Sequence, residues 1–162
     1  MHKACQLSPC LTYRYRLDRL WDDSKPALLF VLYNPSTADA SQDDPTLRRC
    51  IGFARSWGYG GLCVINLFSL RTPDPSILHG HSQPKGPDHE RVFQAALKDH
   101  KDVVCAWGLQ GGPISSHFSP GTHRIFHLGL NRDGSPKHPL YLPAHMLKQR
   151  WNEDKKKGHL HR

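Results

Sequence analysis

Residues 27–33, Ala-Leu-Leu-Phe-Val-Leu-Tyr, most constrain how this chain can fold. Seven consecutive apolar or aromatic residues suit a strand buried on both faces, as in the middle of a parallel sheet. The run stops at Asn34-Pro35-Ser36. Proline lacks an N–H and fixes φ, so a central ladder cannot continue through it. A polar loop therefore opens at the carboxyl end of a buried strand, the edge at which open α/β sheets bind ligands. Asn34 is the first polar side chain at that edge.

The remaining elements follow from local signals. Residues 1–10 look irregular. Residues 12–17 alternate apolar with basic, the pattern of a half-buried edge strand. Asp44 has the chemistry of a helix N-cap and Pro45 that of a first helical residue. Leu47, Ile51 and Ala54, with Cys50 and Trp57, supply an apolar face at helical spacing, and Gly58 suits the position that ends the helix. A second buried strand, residues 62–68, carries Asn66 near its end. A connection rich in His, Pro and Gly (79–87) leads to a helix over 88–100. Strands at 103–107 and 124–128 flank a glycine-rich loop, 131–134 reads as a turn, and a short helix is expected over 143–151. The charged tail from residue 152 is expected to be loose. Alternating strands and helices predict a single α/β domain over residues 1–162. The form expected is a three-layer α/β/α sandwich around a central, mainly parallel four-stranded sheet.

Composition narrows the classes of function. Lys plus Arg number 22 against 14 Asp plus Glu, a formal charge of +8 that favours polyanionic partners, nucleic acid first. No apolar run approaches a membrane span, and no apolar leader opens the chain, so a cytoplasmic protein is expected. The five cysteines, Cys5, Cys10, Cys50, Cys63 and Cys105, contain no C-x-x-C pair, which argues against a zinc ribbon. There is no P-loop, no zincin His/Glu pair and no G-x-S-x-G elbow. Gly58-Tyr59-Gly60-Gly61 lacks the strand-then-helix context of a dinucleotide fingerprint. No metal and no organic cofactor is expected.

Parallel strands bring their carboxyl ends to one rim. Asn34, Asn66, the loop after Trp107 and the His138 loop should therefore converge there, with carboxylates from residues 39–44 and nearby arginines. These residues resemble the motifs of the uracil-DNA glycosylase superfamily. Asn34-Pro35-Ser36 matches its first motif and Val64-Ile65-Asn66-Leu67 its base-reading strand. Cys105-Ala106-Trp107-Gly108 matches its apolar strand ending Trp-Gly, and His138-Pro139-Leu140 its His-Pro motif. Asp43-Asp44-Pro45-Thr46, Trp57-Gly58-Tyr59-Gly60-Gly61 and His138-Pro139-Leu140-Tyr141-Leu142 are also similar to a bacterial and phage family known mainly as a domain of unknown function. That family is taken as an outlying branch of the glycosylase fold.

The resemblance implies a monofunctional DNA glycosylase, acting as a monomer on DNA. Asn34 would orient the water that attacks the deoxyribose. Asn cannot accept the proton, so Asp43 or Asp44 would assist, although Asp44 is also explained as a helix cap. His138 would donate to the base oxygen as charge develops there. Pro35, Ser36, Asn66, Phe68 and Trp107 would line the base site. Arg48, Arg49, Arg71, Arg132 and Lys137 would contact phosphates, and Leu140, Tyr141 or Leu142 would wedge into the duplex as a base flips. Ser36 stands where uracil enzymes carry a tyrosine that excludes a 5-substituent. A 5-substituted pyrimidine, such as glucosylated hydroxymethylcytosine of phage DNA, is therefore the expected substrate, excised in anti-phage defence. The rival readings are a non-catalytic nucleic-acid-binding module on the same fold, or a hydrolase of free nucleosides or nucleotides.

Overall fold

A computed structural model describes residues 1–121 and 123–151. The chain runs β1 (His2–Leu7), β2 (Arg14–Leu20), β3 (Ala27–Leu32), α1 (Pro45–Ser56), β4 (Gly61–Asn66), a one-turn α2 (Ile77–Gly80), α3 (His89–Asp99), β5 (Asp102–Cys105), β6 (Arg124–His127) and β7 (Gln149–Arg150). These strands form one sheet in the order β1-β2-β4-β3-β5-β6-β7. The four central strands β4, β3, β5 and β6 are parallel, while β1, β2 and β7 add antiparallel flanks.

The run at residues 27–33 is thus the central strand that its composition predicts, and every residue from Leu28 to Leu32 is buried. Side chains of alternate residues leave its two faces. Leu28, Phe30 and Leu32 join Leu62, Val64 and Val104 against Leu47, Cys50, Phe53 and Ala54 of α1. Leu29 and Val31 join Cys63, Ile65 and Cys105 against Val92 and Ala96 of α3. Helices therefore cover both faces of the sheet. The Asp44 carboxylate caps α1 by accepting the Leu47 N–H at 2.8 Å, and Gly58, at φ +86°, turns the chain after it.

Several expectations need correction. The sheet has seven strands, not four. Residues 1–10, expected to be irregular, contain β1. That strand occupies the edge expected for residues 12–17, so β2 is internal. The helix expected over 143–151 is absent. Met146 is pinned instead by the Trp57 indole N–H, which donates to its carbonyl at 3.1 Å, and Gln149–Arg150 pairs with β6. Leu147 is 72% exposed, so that segment buries no apolar helical stripe. The tail from residue 152 lies outside the described residues.

One irregularity positions the site. Along β1 and β2 the register shifts, so that Gln6 faces Arg16 while Leu7 faces Arg14, which leaves Tyr15 as an extra residue. Tyr15 packs in the α3-side core and Arg16 reaches Asp99 of α3 at 3.2 Å, so these two neighbours project to one face. Arg14 is thereby sent to the opposite, α1-side face, with Leu17.

Candidate functional site

The carboxyl ends of β4, β3, β5 and β6 share one rim. Because β2 runs antiparallel to β4, its amino-terminal end lies at that rim as well, and the Arg14 N–H donates to the Ser69 carbonyl beyond β4. Across the rim the sheet order sets out Arg14, Asn66, Asn34, the loop after Trp107 and the His138 loop. A cavity of about 270 Å³ lies here on the α1 side. Its walls come from Arg14, the segment 32–36, the start of α1 (Asp44, Thr46, Leu47), Val64, Pro75, the segment 107–110 and His138. Its size suits one nucleobase or nucleoside, at the small end of ligand pockets.

Asn34 is oriented without ambiguity. Its side-chain nitrogen faces two carbonyl oxygens, of Pro35 at 3.0 Å and Thr72 at 2.8 Å, so that atom must be the NH₂ group. Both amide hydrogens are spent on the backbone, which leaves Oδ1 as an acceptor. His138 is fixed in the opposite sense. Its Nδ1 accepts the Leu140 N–H at 3.2 Å, so the neutral ring carries its proton on Nε2. Burial lowers the His138 pKa and the nearby Asp44 carboxylate opposes that shift, so the ring is neutral at pH 7. The cavity therefore presents a fixed acceptor from the end of β3 and a fixed donor from the loop beyond β6.

The structure brings together Asn34, Pro35, Ser36, Asp44, Trp107 and His138. Asp43 lies elsewhere: its carboxylate holds the guanidinium of Arg19, which is 0% exposed, at 3.0 Å, and lies 3.9 Å from Lys3. Phe68 is on the α3 side, edge-on to Tyr33, and lines a different cavity with His89 and Phe93. Trp107 forms part of the cavity wall, but its ring packs on Phe118 and His117 and its N–H donates to the Gly112 carbonyl at 2.7 Å. Gly111 is required there, because a Cβ at that position would meet the indole at 2.0 Å.

Asn66 is 1% exposed, and strand alternation sets it on the α1-side face, two residues beyond Val64 of the cavity wall. Neither its Oδ1 nor its Nδ2 has a partner among the described residues. Arg48, Arg49 and Leu140 line a neighbouring groove of about 570 Å³ beside α1. Arg71 donates to the Leu11 carbonyl at 3.3 Å, Arg132 and Lys137 are exposed, and Tyr141 is 90% exposed.

Arg14 is the residue that sequence reasoning missed. It is 4% exposed, lines the cavity, and donates from Nη1 to the Ala38 carbonyl at 3.0 Å. Its Nε is buried without a partner among the described residues. Burial pulls its pKa down to about 10, so the guanidinium stays charged at neutral pH. In the sequence it is one of two arginines in an apolar–basic alternation, and nothing there separates it from Arg16.

Fold and site together define a mixed α/β domain with a small polar cavity at the carboxyl rim of its parallel strands. The chain belongs to the family described as Protein of unknown function (DUF1643), whose model matches residues 14–140. That span begins at Arg14, ends two residues after His138, and so contains every residue of the cavity wall. No curated protein and no solved structure matches the chain. Among the described residues no helix is long and apolar enough to cross a membrane.

Proposed function

We propose that the protein is a monofunctional DNA glycosylase. In this reading the sheet and its helices form a three-layer, uracil-DNA glycosylase-like sandwich. A modified pyrimidine, flipped from DNA, enters the rim cavity and its N-glycosidic bond is hydrolysed, leaving an abasic site. The observation that carries the reading is the opposition, in one base-sized cavity, of the Asn34 Oδ1 acceptor and the His138 Nε2–H donor.

The chemistry needs both. Cleavage builds positive charge on the sugar and sends the electron pair of the C1′–N1 bond onto the base. Asn34 Oδ1 accepts a hydrogen bond from water and aims its oxygen at C1′. Asp44 uses Oδ1 for the Leu47 N–H, and its second oxygen takes the water proton, which passes in the end to the departing base. His138 donates to the base oxygen on which negative charge grows. A neutral donor can do this without the cost of burying a further cation. No lysine lies in the cavity wall to form a Schiff base.

The small side chain of Ser36 in the wall supports a 5-substituted base, such as glucosylated hydroxymethylcytosine of phage DNA, and with it a role in anti-phage defence. The formal charge of +8 and the groove with Arg48 and Arg49 support a DNA partner, bound by a cytoplasmic monomer.

Oligonucleotides carrying uracil, a thymine mismatch, hydroxymethylcytosine or its glucosylated form, treated with the protein and then with alkali, test this. Strand scission at one of the modified cytosines is the expected result. Tight binding with no scission on any substrate would replace the reading with a non-catalytic binding module. Release of base from free nucleosides alone would replace it with a nucleoside hydrolase.

A further inference from the structure

We propose that Arg14 reads the base, and that it selects cytosine-type bases over uracil- and thymine-type bases. This rests on the glycosylase reading above and goes beyond it by assigning a residue and a base class.

A guanidinium has five N–H donors, and Arg14 uses one, from Nη1, on the Ala38 carbonyl. The Nε and Nη2 hydrogens lie together on the other edge, as a side-on fork. Nε is buried without a partner, and Nη2 has none among the described residues. A buried N–H without an acceptor is costly, and a ligand that supplies one recovers that cost on binding. The residue reaches the cavity only because the extra Tyr15 in β2 turns it to the α1 side.

Such a fork takes two adjacent acceptors. They can be the two oxygens of an anion or two acceptors on a base edge, and the charges nearby decide between these. Arg14 is influenced by Asp44, which favours its charge, and by Arg71 and Arg19, which oppose it. Arg19 is itself paired with Asp43, which also lies 3.9 Å from Lys3, and Arg71 donates to the Leu11 carbonyl. Of these groups Asp44 shares the cavity wall with Arg14, so the guanidinium already has a carboxylate beside it. A further anion would be uncompensated beside Asp44, whereas a neutral acceptor pair would not. Cytosine offers that pair, O2 and N3, on its pairing edge. Uracil and thymine place an N3–H donor between two carbonyls, which sets donor against donor. The cytosine edge ends in an N4 amino group, and the neighbouring strand β4 carries Asn66 on this same face with an unpartnered amide. As the glycosidic bond breaks, charge grows on the ring atoms that Arg14 holds, so the contact strengthens in the transition state.

The test holds the 5-substituent constant and changes the edge. Oligonucleotides with a single 5-hydroxymethylcytosine or 5-hydroxymethyluracil, each with and without glucose on the hydroxymethyl group, are compared by kcat/KM. The wild type is expected to prefer the cytosine member by about 10- to 100-fold, the usual discrimination of a two-bond arginine contact. Arg14→Gln and Arg14→Lys, checked for folding by circular dichroism, should bring that ratio to within a few-fold of one. Equal excision of both bases by the wild type overturns the role of Arg14 and leaves the glycosylase reading intact. Retention of the full preference by both folded variants does the same. Absence of excision from all four substrates overturns the glycosylase reading, and this inference with it. A fourth outcome, tight competition by inorganic phosphate that is lost in Arg14→Gln, would show that the fork holds an anion and also overturn the base-reading role.

Discussion

Asp44 sits where a helix begins and where a proton would be taken up, and the two duties can be separated by substitution. Its Oδ1 accepts the Leu47 N–H at 2.8 Å, the one side-chain cap on α1. Asp44→Ala removes that bond, which for an N-cap costs about 1 kcal/mol. In a chain of this size that lowers Tm by about 2–4 °C. Asn caps as well as Asp, so Asp44→Asn keeps the bond and loses only the attraction between a carboxylate and the helix dipole. That loss is about 0.5 kcal/mol, or about 1–2 °C. The chemistry should respond in a different order. Neither variant has a carboxylate to receive the water proton, so both should lose about 100-fold or more in single-turnover excision. Thermal unfolding and single-turnover assays on the same preparations give both quantities. Wild-type turnover in a normally folded Asp44→Asn would refute the proton-acceptor role. An equal fall in Tm for the two variants would refute the assignment of the cap.

Asn34→Ala should abolish excision while leaving DNA affinity within a few-fold, because the base is held by other groups; equal losses of binding and turnover in filter-binding and kinetic assays would contradict this. Asp43→Ala should destabilise by about 3 kcal/mol in urea unfolding, because it strips the carboxylate from the fully buried Arg19, which keeps only backbone carbonyl acceptors. Stability should also fall in acid through His89, which lies 2.6 Å from the Ser69 hydroxyl and whose pKa burial pushes down to about 4. The unfolded chain, with a histidine pKa near about 6.5, binds that proton first, so stability is complete above that value and declines as pH falls toward about 4. The loss amounts to about 2–3 kcal/mol by pH 4.5, and His89→Phe should flatten that part of a stability–pH profile.

The parts of this fold that were legible in the sequence are those governed by local rules. The run at 27–33 announced its own burial, and Asp44-Pro45 with Gly58 marked both ends of α1 to within a residue. β1 and β7 were not legible, because His2–Leu7 and Gln149–Arg150 have little apolar patterning and are held by neighbours distant in the chain. The convergence of Asn34, Ser36, Asp44 and His138 followed from parallel strand topology. The exclusion of Asp43 and Phe68 did not, since it depends on which way neighbouring side chains turn. Arg14 was hidden by a parity error: period-two alternation groups it with Arg16, and only the extra residue in β2 reverses that grouping.

The cavity wall is drawn from segments that run from Arg14 to His138. No fragment shorter than residues 14–138 contains it, and local fraying at either terminus leaves it whole. Occupancy of the cavity is therefore coupled to unfolding of the entire domain. A compound at 100 times its Kd would raise global stability by about 2.7 kcal/mol, which in a chain of this length is an upward shift of about 5–10 °C. A melting-temperature screen of bases, nucleosides and short oligonucleotides would thus report on the cavity without any assay of turnover.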